Sequence, residues 1–524
     1  MTQIPIIDLF AGPGGLGEGF SSLIDDNKNR LFKIKLSIEK DEFAHQTLEL
    51  RSFFRQFPVG EVPDEYYEYI KNYKTSSDLV VREKLLNKFP GEAKKAKDEA
   101  WLCELGNANY PSELVDQRIK FSLKNSKNWL LIGGPPCQAY SLVGRSRNGG
   151  IFEADPRVFL YQEYLRIIAV HHPAVFVMEN VKGLLSAKLD GKSIFDQIKS
   201  DLRNPGKLFP NHESPTYKIY SLVQKPNGYD ADENPIYLKN QDYLIKTEEY
   251  GIPQKRHRVI LLGIREDLGK ISFEPIQKKK MVKLKDVIDE LPKLRSGIGR
   301  EIAPLDINGK QKYHKYNDSP SNWMNSINEY LELIKKEFSL EEIKLNNNRL
   351  LTKGDNFIKV DLSERNNPLK DWFNDDKIDG ILNHETRTHL KEDLARYLFS
   401  AEYLKIKGDF PKLRDYPEWL LPNHKNARGT KFSDRFRTQR PDEPATTITS
   451  HISKDGHYFI HYDPAQCRSL TVREAARIQT FPDNYFFCGA RTAQYHQVGN
   501  AVPPYLARQI GVIVKEILTQ ATSI

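Results

Sequence analysis

The sequence predicts an α/β fold: a mostly parallel sheet covered by helices, with a smaller irregular domain set into it. Three observations lead there. Residues 5–10, 34–38, 129–133, 174–178 and 259–263 are short apolar runs rich in Ile, Leu and Val, each flanked by loop signals. Helical patterns such as 158–170 lie between some of them, and apolar strands alternating with helices are the mark of a parallel sheet buried on both faces. From about 266 to 445 this rhythm is lost and the chain becomes irregular, basic and rich in Asn, over a length that calls for a second domain.

Taken in order, the first run (Pro5-Ile-Ile-Asp-Leu-Phe10) ends in a glycine cluster and is followed by an amphipathic stretch with Leu16, Phe20 and Leu23. The segment 52–128 is charged and rich in Tyr and Lys; it reads as an insertion between two strands, helical around 76–104. A polar excursion over 190–240 reads mostly as loop. Near the C-terminus, Thr471-Val-Arg-Glu474 has the form of a capping box opening a short helix through Gln479. A last helix over 504–519 places Leu506, Ile510, Ile513 and Ile517 on one face. The expected division is therefore 1–265 for a ligand-binding α/β domain carrying the 52–128 insertion, 266–445 for the second domain, and 446–524 for the return to the first.

Composition narrows the class. The 524 residues are 39% hydrophobic and 28% charged, ordinary for a protein in water, and no apolar run approaches the roughly 20 residues needed to cross a bilayer. The N-terminus lacks a basic stretch followed by an apolar one, so no signal peptide is expected. Four cysteines (Cys103, Cys137, Cys467, Cys488) form neither a disulfide framework nor a spaced metal set, which fits a reducing cytoplasm and no bound metal. A net charge of +8 leans toward an anionic partner.

Four motifs carry chemistry. The loop Phe10-Ala11-Gly12-Pro13-Gly14-Gly15-Leu16-Gly17 joins the first strand to the first helix, where glycines let backbone N–H groups approach a ligand. Glu39, at the end of the second strand, is placed to accept both hydroxyls of a ribose. Together they indicate an adenosine-containing ligand, without separating a nicotinamide dinucleotide from S-adenosylmethionine. Cys137 follows a buried strand in Gly133-Gly-Pro-Pro136-Cys137-Gln138, at the carboxyl edge where open α/β sheets bind ligands. Glu179 ends the strand Phe176-Val-Met-Glu, and Arg256 and Arg258 alternate along Gln254-Lys-Arg-His-Arg258, so that both are expected on one face.

In this order the segments resemble the cytosine-5 DNA methyltransferase family of prokaryotic restriction-modification systems. Ile7-Asp-Leu-Phe-Ala-Gly-Pro-Gly-Gly15 resembles its cofactor loop, Gly-Gly-Pro-Pro-Cys-Gln138 its nucleophile loop, Met178-Glu-Asn-Val181 its acid motif and Gln254–Arg258 its basic motif. Thr471–Asp483 and Gln497-Val-Gly-Asn-Ala-Val-Pro-Pro504 resemble its two C-terminal motifs. The resemblance covers about 4–51, 128–186, 241–266 and 434–519. It implies a Rossmann-like S-adenosylmethionine-dependent methyltransferase fold, with S-adenosylmethionine as co-substrate and double-stranded DNA as partner. The 266–445 segment then reads the target, Cys137 is the nucleophile, and Glu179, Arg256 and Arg258 act on the flipped base. Phe10, Ala11, Gly12, Gly14, Gly15, Gly17, Glu39, Pro136, Asn500 and Ala501 contact the cofactor. Asn107, in Leu105-Gly-Asn107-Ala, stands where the family offers an acid to the adenine amine.

The basic run Lys278, Lys279, Lys280, Lys283 and Lys285, with Arg435, Arg437 and Arg440, could touch phosphates, and Thr446-Thr-Ile-Thr449 resembles the close of a family recognition domain. By the same resemblance the protein is a cytoplasmic, nucleoid-associated monomer functionally paired with a separate restriction endonuclease. Three rival readings stand beside it: an RNA cytosine-5 methyltransferase, a catalytically silent DNA-binding homologue, and a Rossmann oxidoreductase. The last leaves Pro135-Pro136-Cys137-Gln138 unexplained.

Overall fold

The computed structural model describes residues 3–74, 78–136, 156–189, 191–338, 345, 351–361, 366–423 and 433–521. Cys137 and the residues after it, up to 155, lie outside this set.

The predicted runs form the central sheet. Its strands are β1 (Ile4–Leu9), β2 (Phe32–Glu39), β3 (Ala100–Leu102), β4 (Leu130–Gly133), β5 (Val175–Val181), β6 (Tyr217–Ser221), β7 (Leu244–Lys246) and β8 (His257–Arg265). The order across the sheet is β7–β8–β5–β4–β1–β2–β3, with β6 also paired to β8. β3, β2, β1, β4 and β5 run parallel, whereas β8 runs antiparallel to β5, β6 and β7.

Both faces of the sheet are buried, which is why its strands are continuous apolar runs. Ile7, Leu9 and Leu131 face one core with α6 (Ser112–Leu123) and α7 (Pro156–His171), the latter supplying Tyr164, Leu165 and Ile168. Ile6, Leu130 and Ile132 face the other, under α1 (Gly15–Ser21) and the last helix, α13 (Pro504–Ala521). Leu506, Ile510, Ile513 and Ile517 all lie in that second core.

The 52–128 segment is not a simple insertion. α2 (Glu42–Arg55) is the ordinary crossover helix after β2, and β3 and α6 belong to the central layer. What is inserted is α3 (Asp64–Lys71), α4 (Asp78–Lys88) and α5 (Pro90–Glu99). β3 escaped detection because three residues, one of them exposed, carry too little periodicity. The inserted helices bury Tyr66, Tyr67, Tyr69 and Ile70 against Phe53 and Phe54 of α2, and against Ile378, Leu382 and Phe486 from the C-terminal half. The 190–240 excursion likewise contains an amphipathic helix, α8 (Ile194–Arg203), capped by the Ser193 hydroxyl accepting the Asp196 N–H, and β6.

The stretch expected to be irregular has regular elements: β9 (Gly297–Ala303), β10 (Lys312–Lys315), α9 (Pro320–Phe338), β11 (Thr388–Leu390) and α10 (Lys391–Lys407). α9 and α10 pack on each other through Trp323, Ile327, Leu394 and Leu398. Val282, Leu284, Val287, Leu369 and Phe373 share a core with Ile448, Ile452, α11 (Val472–Ile478) and Val498 of α12 (Arg491–Asn500). α11 opens with the expected capping box: Thr471 Oγ1 accepts the Glu474 N–H and Glu474 Oε2 accepts the Thr471 N–H, at 3.2 and 2.7 Å. Among the described residues no helix is long and apolar enough to cross a membrane.

Candidate active site

The sheet delivers the predicted residues to its carboxyl edge. β1 ends at Leu9 and turns at Phe10, whose φ of +56° is a left-handed conformation that costs a non-glycine residue energy. Gly12 (φ +58°) and Gly14 (φ +95°) complete the turn, and the space beside Gly12 is open where a Cβ would stand. Gly15 is needed for another reason. A Cβ there would lie 2.2 Å from the Val502 carbonyl, so the C-terminal Asn500-Ala501-Val502 segment lies directly on the loop.

Glu39 closes the same turn from β2. Its Oε2 accepts the Gly12 N–H at 2.7 Å and its Oε1 the Asp41 N–H at 2.8 Å, while burial raises its carboxyl above the usual range. A carboxylate at a strand end beside an open glycine turn suits the two hydroxyls of an adenosine ribose, so the residues present fit S-adenosylmethionine. Asn107 lies in the loop after β3 with its amide engaged locally: Nδ2 donates to Glu104 at 2.8 Å and Oδ1 accepts the Asn109 N–H at 3.0 Å. Asn500 is exposed next to His496, and Ala501 is buried.

The second cluster forms where β4, β5 and β8 meet. Because β8 is antiparallel, its first residues reach the edge where β5 ends; Arg258 pairs in register with Val181 and Ile260 with Glu179. The Arg258 guanidinium Nε lies 2.7 Å from Glu179 Oε1, both side chains about 13% exposed. Across from it, a Cβ on Gly134 would stand 2.9 Å from Glu179 Oε2. A larger residue there would push the Glu179 carboxylate aside, and glycine leaves it close to the loop three residues before Cys137. The buried Asn180 amide donates to the Pro135 carbonyl at 3.4 Å and ties that loop to β5.

Arg256 does not join this pair. Its side chain is buried, and Nη1 donates to the Ile448 carbonyl at 2.7 Å and the Gly499 carbonyl at 3.3 Å. Burial, with Arg258 nearby, depresses its basicity well below the usual value. Gln254 makes a parallel tie, donating to the Ile478 carbonyl and Gln479 Oε1.

The other three cysteines are poor nucleophiles. Desolvation pushes the thiols of Cys103 and Cys488 up to about 12 and about 11 and that of Cys467 well above its ordinary value.

Sequence reading missed Asp8, the charged residue inside the first apolar run. It is fully buried on β1, neither carboxyl oxygen has a hydrogen-bond partner among the described residues, and desolvation raises it to about 8. A charge within an apolar strand was the signal available for it. The basic residues expected to meet phosphate are mostly engaged within the chain. Lys278 pairs with Glu249 at 2.6 Å, Lys285 with Asp442 at 2.7 Å, and Arg440 with Asp409 at 2.6 Å. Arg435 and Arg437 pair with Asp455 and Asp434.

A family model described as C-5 cytosine-specific DNA methylase matches residues 97–516. The chain belongs to that family. It is similar to a type II methyltransferase of Bacillus paralicheniformis, 32% identical over 530 residues that span 98% of this chain and 99% of that protein. It is also similar to a DNA (cytosine-5-)-methyltransferase of Aeropyrum pernix, 26% identical over 74% of this chain and 81% of that one. A solved structure of a putative DNA modification methyltransferase encoded within an E. coli prophage aligns over 99% of this chain and 100% of its own, at 18% identity and a TM-score of 0.49. As a member of the family the chain is a DNA (cytosine-5-)-methyltransferase, and S-adenosylmethionine is its methyl donor.

Proposed function

We propose that Cys137 is the nucleophile of this methyltransferase, with Glu179 and Arg258 acting on the target cytosine and Arg256 bracing the site from behind. The observation that carries this reading is the approach of the Glu179 carboxylate to Gly134, three residues before Cys137, with Arg258 held on that carboxylate at 2.7 Å.

Cytosine is a weak nucleophile at carbon 5, so the base must be activated covalently. The Cys137 thiolate adds to carbon 6, forming a C–S bond and moving the ring electrons toward carbon 5. Glu179 meets ring nitrogen 3 and the exocyclic amine and supplies the proton that neutralises the ring. Arg258 orients Glu179 and supports the charge that develops on the base. Carbon 5 takes the methyl group, ring nitrogen 3 returns its proton to Glu179, the carbon 5 proton passes to solvent, and the electrons of that C–H bond rebuild the ring double bond as the thiolate leaves. The bound donor supplies an electrophilic methyl on a sulfonium. Phe10, Ala11, Gly12, Gly14, Gly15, Gly17 and Glu39 would hold it on one side, and Pro136, Asn500 and Ala501 on the other; Asn107 would reach its adenine by giving up its local bonds. The reacting base cannot be reached inside a duplex, so it is flipped into the pocket.

The substrate is a specific sequence in double-stranded DNA, read by the 266–445 segment, with 1–265 and 446–524 forming the catalytic part. By analogy with its type II relatives the protein acts as a cytoplasmic, nucleoid-associated monomer protecting DNA from a separate endonuclease. Bisulfite sequencing of an unmethylated plasmid treated with the purified protein and S-adenosylmethionine should show 5-methylcytosine in one sequence context. Cys137→Ser should abolish transfer while leaving duplex binding intact. Methylation by that variant would overturn the reading.

A further inference from the structure

The hairpin of β9 and β10 has no part in the chemistry above, and its construction is unusual for a surface loop. The hairpin leaves the core of α9 and α10 at Ile298; β9 pairs along its other edge with β11 and buries Ala303, whereas every residue of β10 is exposed, so the β10 edge and the turn beyond Ala303 stand out into water. From Arg300 to Ala303 alone it extends about 10 Å before the turn begins. The register pairs Arg300 with Lys315 and Ile302 with Tyr313, so these four side chains share a face. Glu301 pairs with His314 and Ala303 with Lys312 on the other.

The turn is locked. The Asp306 carboxylate accepts the N–H groups of Asn308 and Lys310 at 2.9 and 2.8 Å. The Asp306 N–H donates to the Lys310 carbonyl at 2.9 Å, and Gly309 takes a φ of +73°. Further down, Gln311 Nε2 donates to the Ala303 carbonyl, and the Glu392 carboxylate of α10 accepts the Ile302 N–H at 3.0 Å. What this ordered turn presents is apolar: Ile307 is 101% exposed and Leu305 52%. An isoleucine held fully in water by a tight turn contributes nothing to folding. The flanking charge is basic, from Arg300, Lys310, Lys312 and Lys315. Asp306 is taken up by the turn and lies 3.5 Å from Lys312.

We propose that β9–β10 is a ribbon this methyltransferase inserts into a groove of its DNA. Ile307 meets base edges or a base step, and Arg300, Lys312 and Lys315 meet phosphates. A two-stranded ribbon fits the major groove, whose depth is about 8.5 Å, and an apolar tip can contact thymine methyls or wedge a base step. The proposal rests on the DNA-methylation reading.

The test uses the full-length enzyme and a 30-bp fluorescein-labelled duplex carrying the context that bisulfite sequencing identifies for the wild type. Ile307→Ser should lower kcat/KM at least tenfold and loosen the methylated context at one base position, leaving the salt dependence of binding unchanged. Lys312→Gln combined with Lys315→Gln should weaken binding to all duplexes alike and reduce the slope of log affinity against log salt by about 1.8, since each phosphate contact contributes about 0.9. All three side chains are on an exposed ribbon, so the melting temperature serves as the folding control and should not move. Variants that methylate the same sites within twofold of wild type, with the wild-type salt slope, would overturn the proposal. If the wild type itself methylates no cytosine, the functional reading fails instead, and the salt slope still judges the hairpin.

Discussion

Replacing Arg256 with Met separates a brace from a substrate contact. In the structure its Nη1 donates to two carbonyls of the C-terminal half, Ile448 at 2.7 Å and Gly499 at 3.3 Å, inside a buried environment. A hydrogen bond from a charged donor contributes about 1.5–3 kcal/mol net. Methionine fills the space of the arginine stem but leaves both carbonyls buried without that donor. The expected destabilisation is about 3–5 kcal/mol, in the range of breaking a buried charged interaction. With an unfolding entropy of about 2.1 cal/mol/K per residue, this lowers the melting temperature by between about 3 and 10 °C, depending on how much of the chain unfolds together. Arg256→Lys, which keeps the charge and can keep one bond, should lose about half as much. Thermal unfolding followed by tryptophan fluorescence reads the stability, and tritiated methyl transfer at 25 °C reads the activity of the folded fraction. A melting temperature within about 1 °C of wild type, with transfer lost, would refute the brace and make Arg256 a contact to the base.

Three further outcomes follow from the same geometry. Gly134→Ala puts a Cβ 2.9 Å from Glu179 Oε2, so kcat should fall tenfold or more while stability changes by no more than about 1 kcal/mol; methyl transfer and thermal melts measure both. Asp8, raised by burial to about 8 from an ordinary 3.8, adds stability that is complete below pH 3.8 and is lost as pH rises to about 8. The melting temperature of Asp8→Asn relative to wild type should therefore climb between pH 5 and 8 and level off above 9. His384, desolvated beside Arg468 and lowered to about 4, works in the opposite sense, and His461 is also pushed down. Staying neutral, His384 stabilises fully above pH 6.5 by on the order of 3 kcal/mol, lost as pH falls toward 4. Thermal melts should show acid destabilisation beginning below pH 6.5, reduced in His384→Asn.

Much of the sheet was legible because strands buried on both faces are continuous apolar runs, and β1, β2, β4, β5 and β8 were all readable that way. So were the glycine turn and Glu39 beside it, which sit at fixed places along a strand–turn–helix, and the capping box at Thr471. The short strand β3 and the helix α8 were not, because three residues of one and the polar surroundings of the other dilute any periodicity. Cys137 was read from its position after a strand and from its motif, and the burial of the other three thiols supports the choice by elimination.

Sequence alone thus determined the strand ends that carry the candidate residues and the order in which they come. Only the tertiary structure decided how they meet. The reversed direction of β8 sets Arg258 against Glu179, and Gly134 leaves that carboxylate close to the loop that precedes Cys137. Arg256, expected beside Arg258 because alternate residues share a face, turns instead to carbonyls 192 and 243 residues away along the chain. The physical reason is separation. Local periodicity reports which face of an element is apolar, whereas register, strand direction and the partners of a buried charge depend on contacts between segments far apart in sequence.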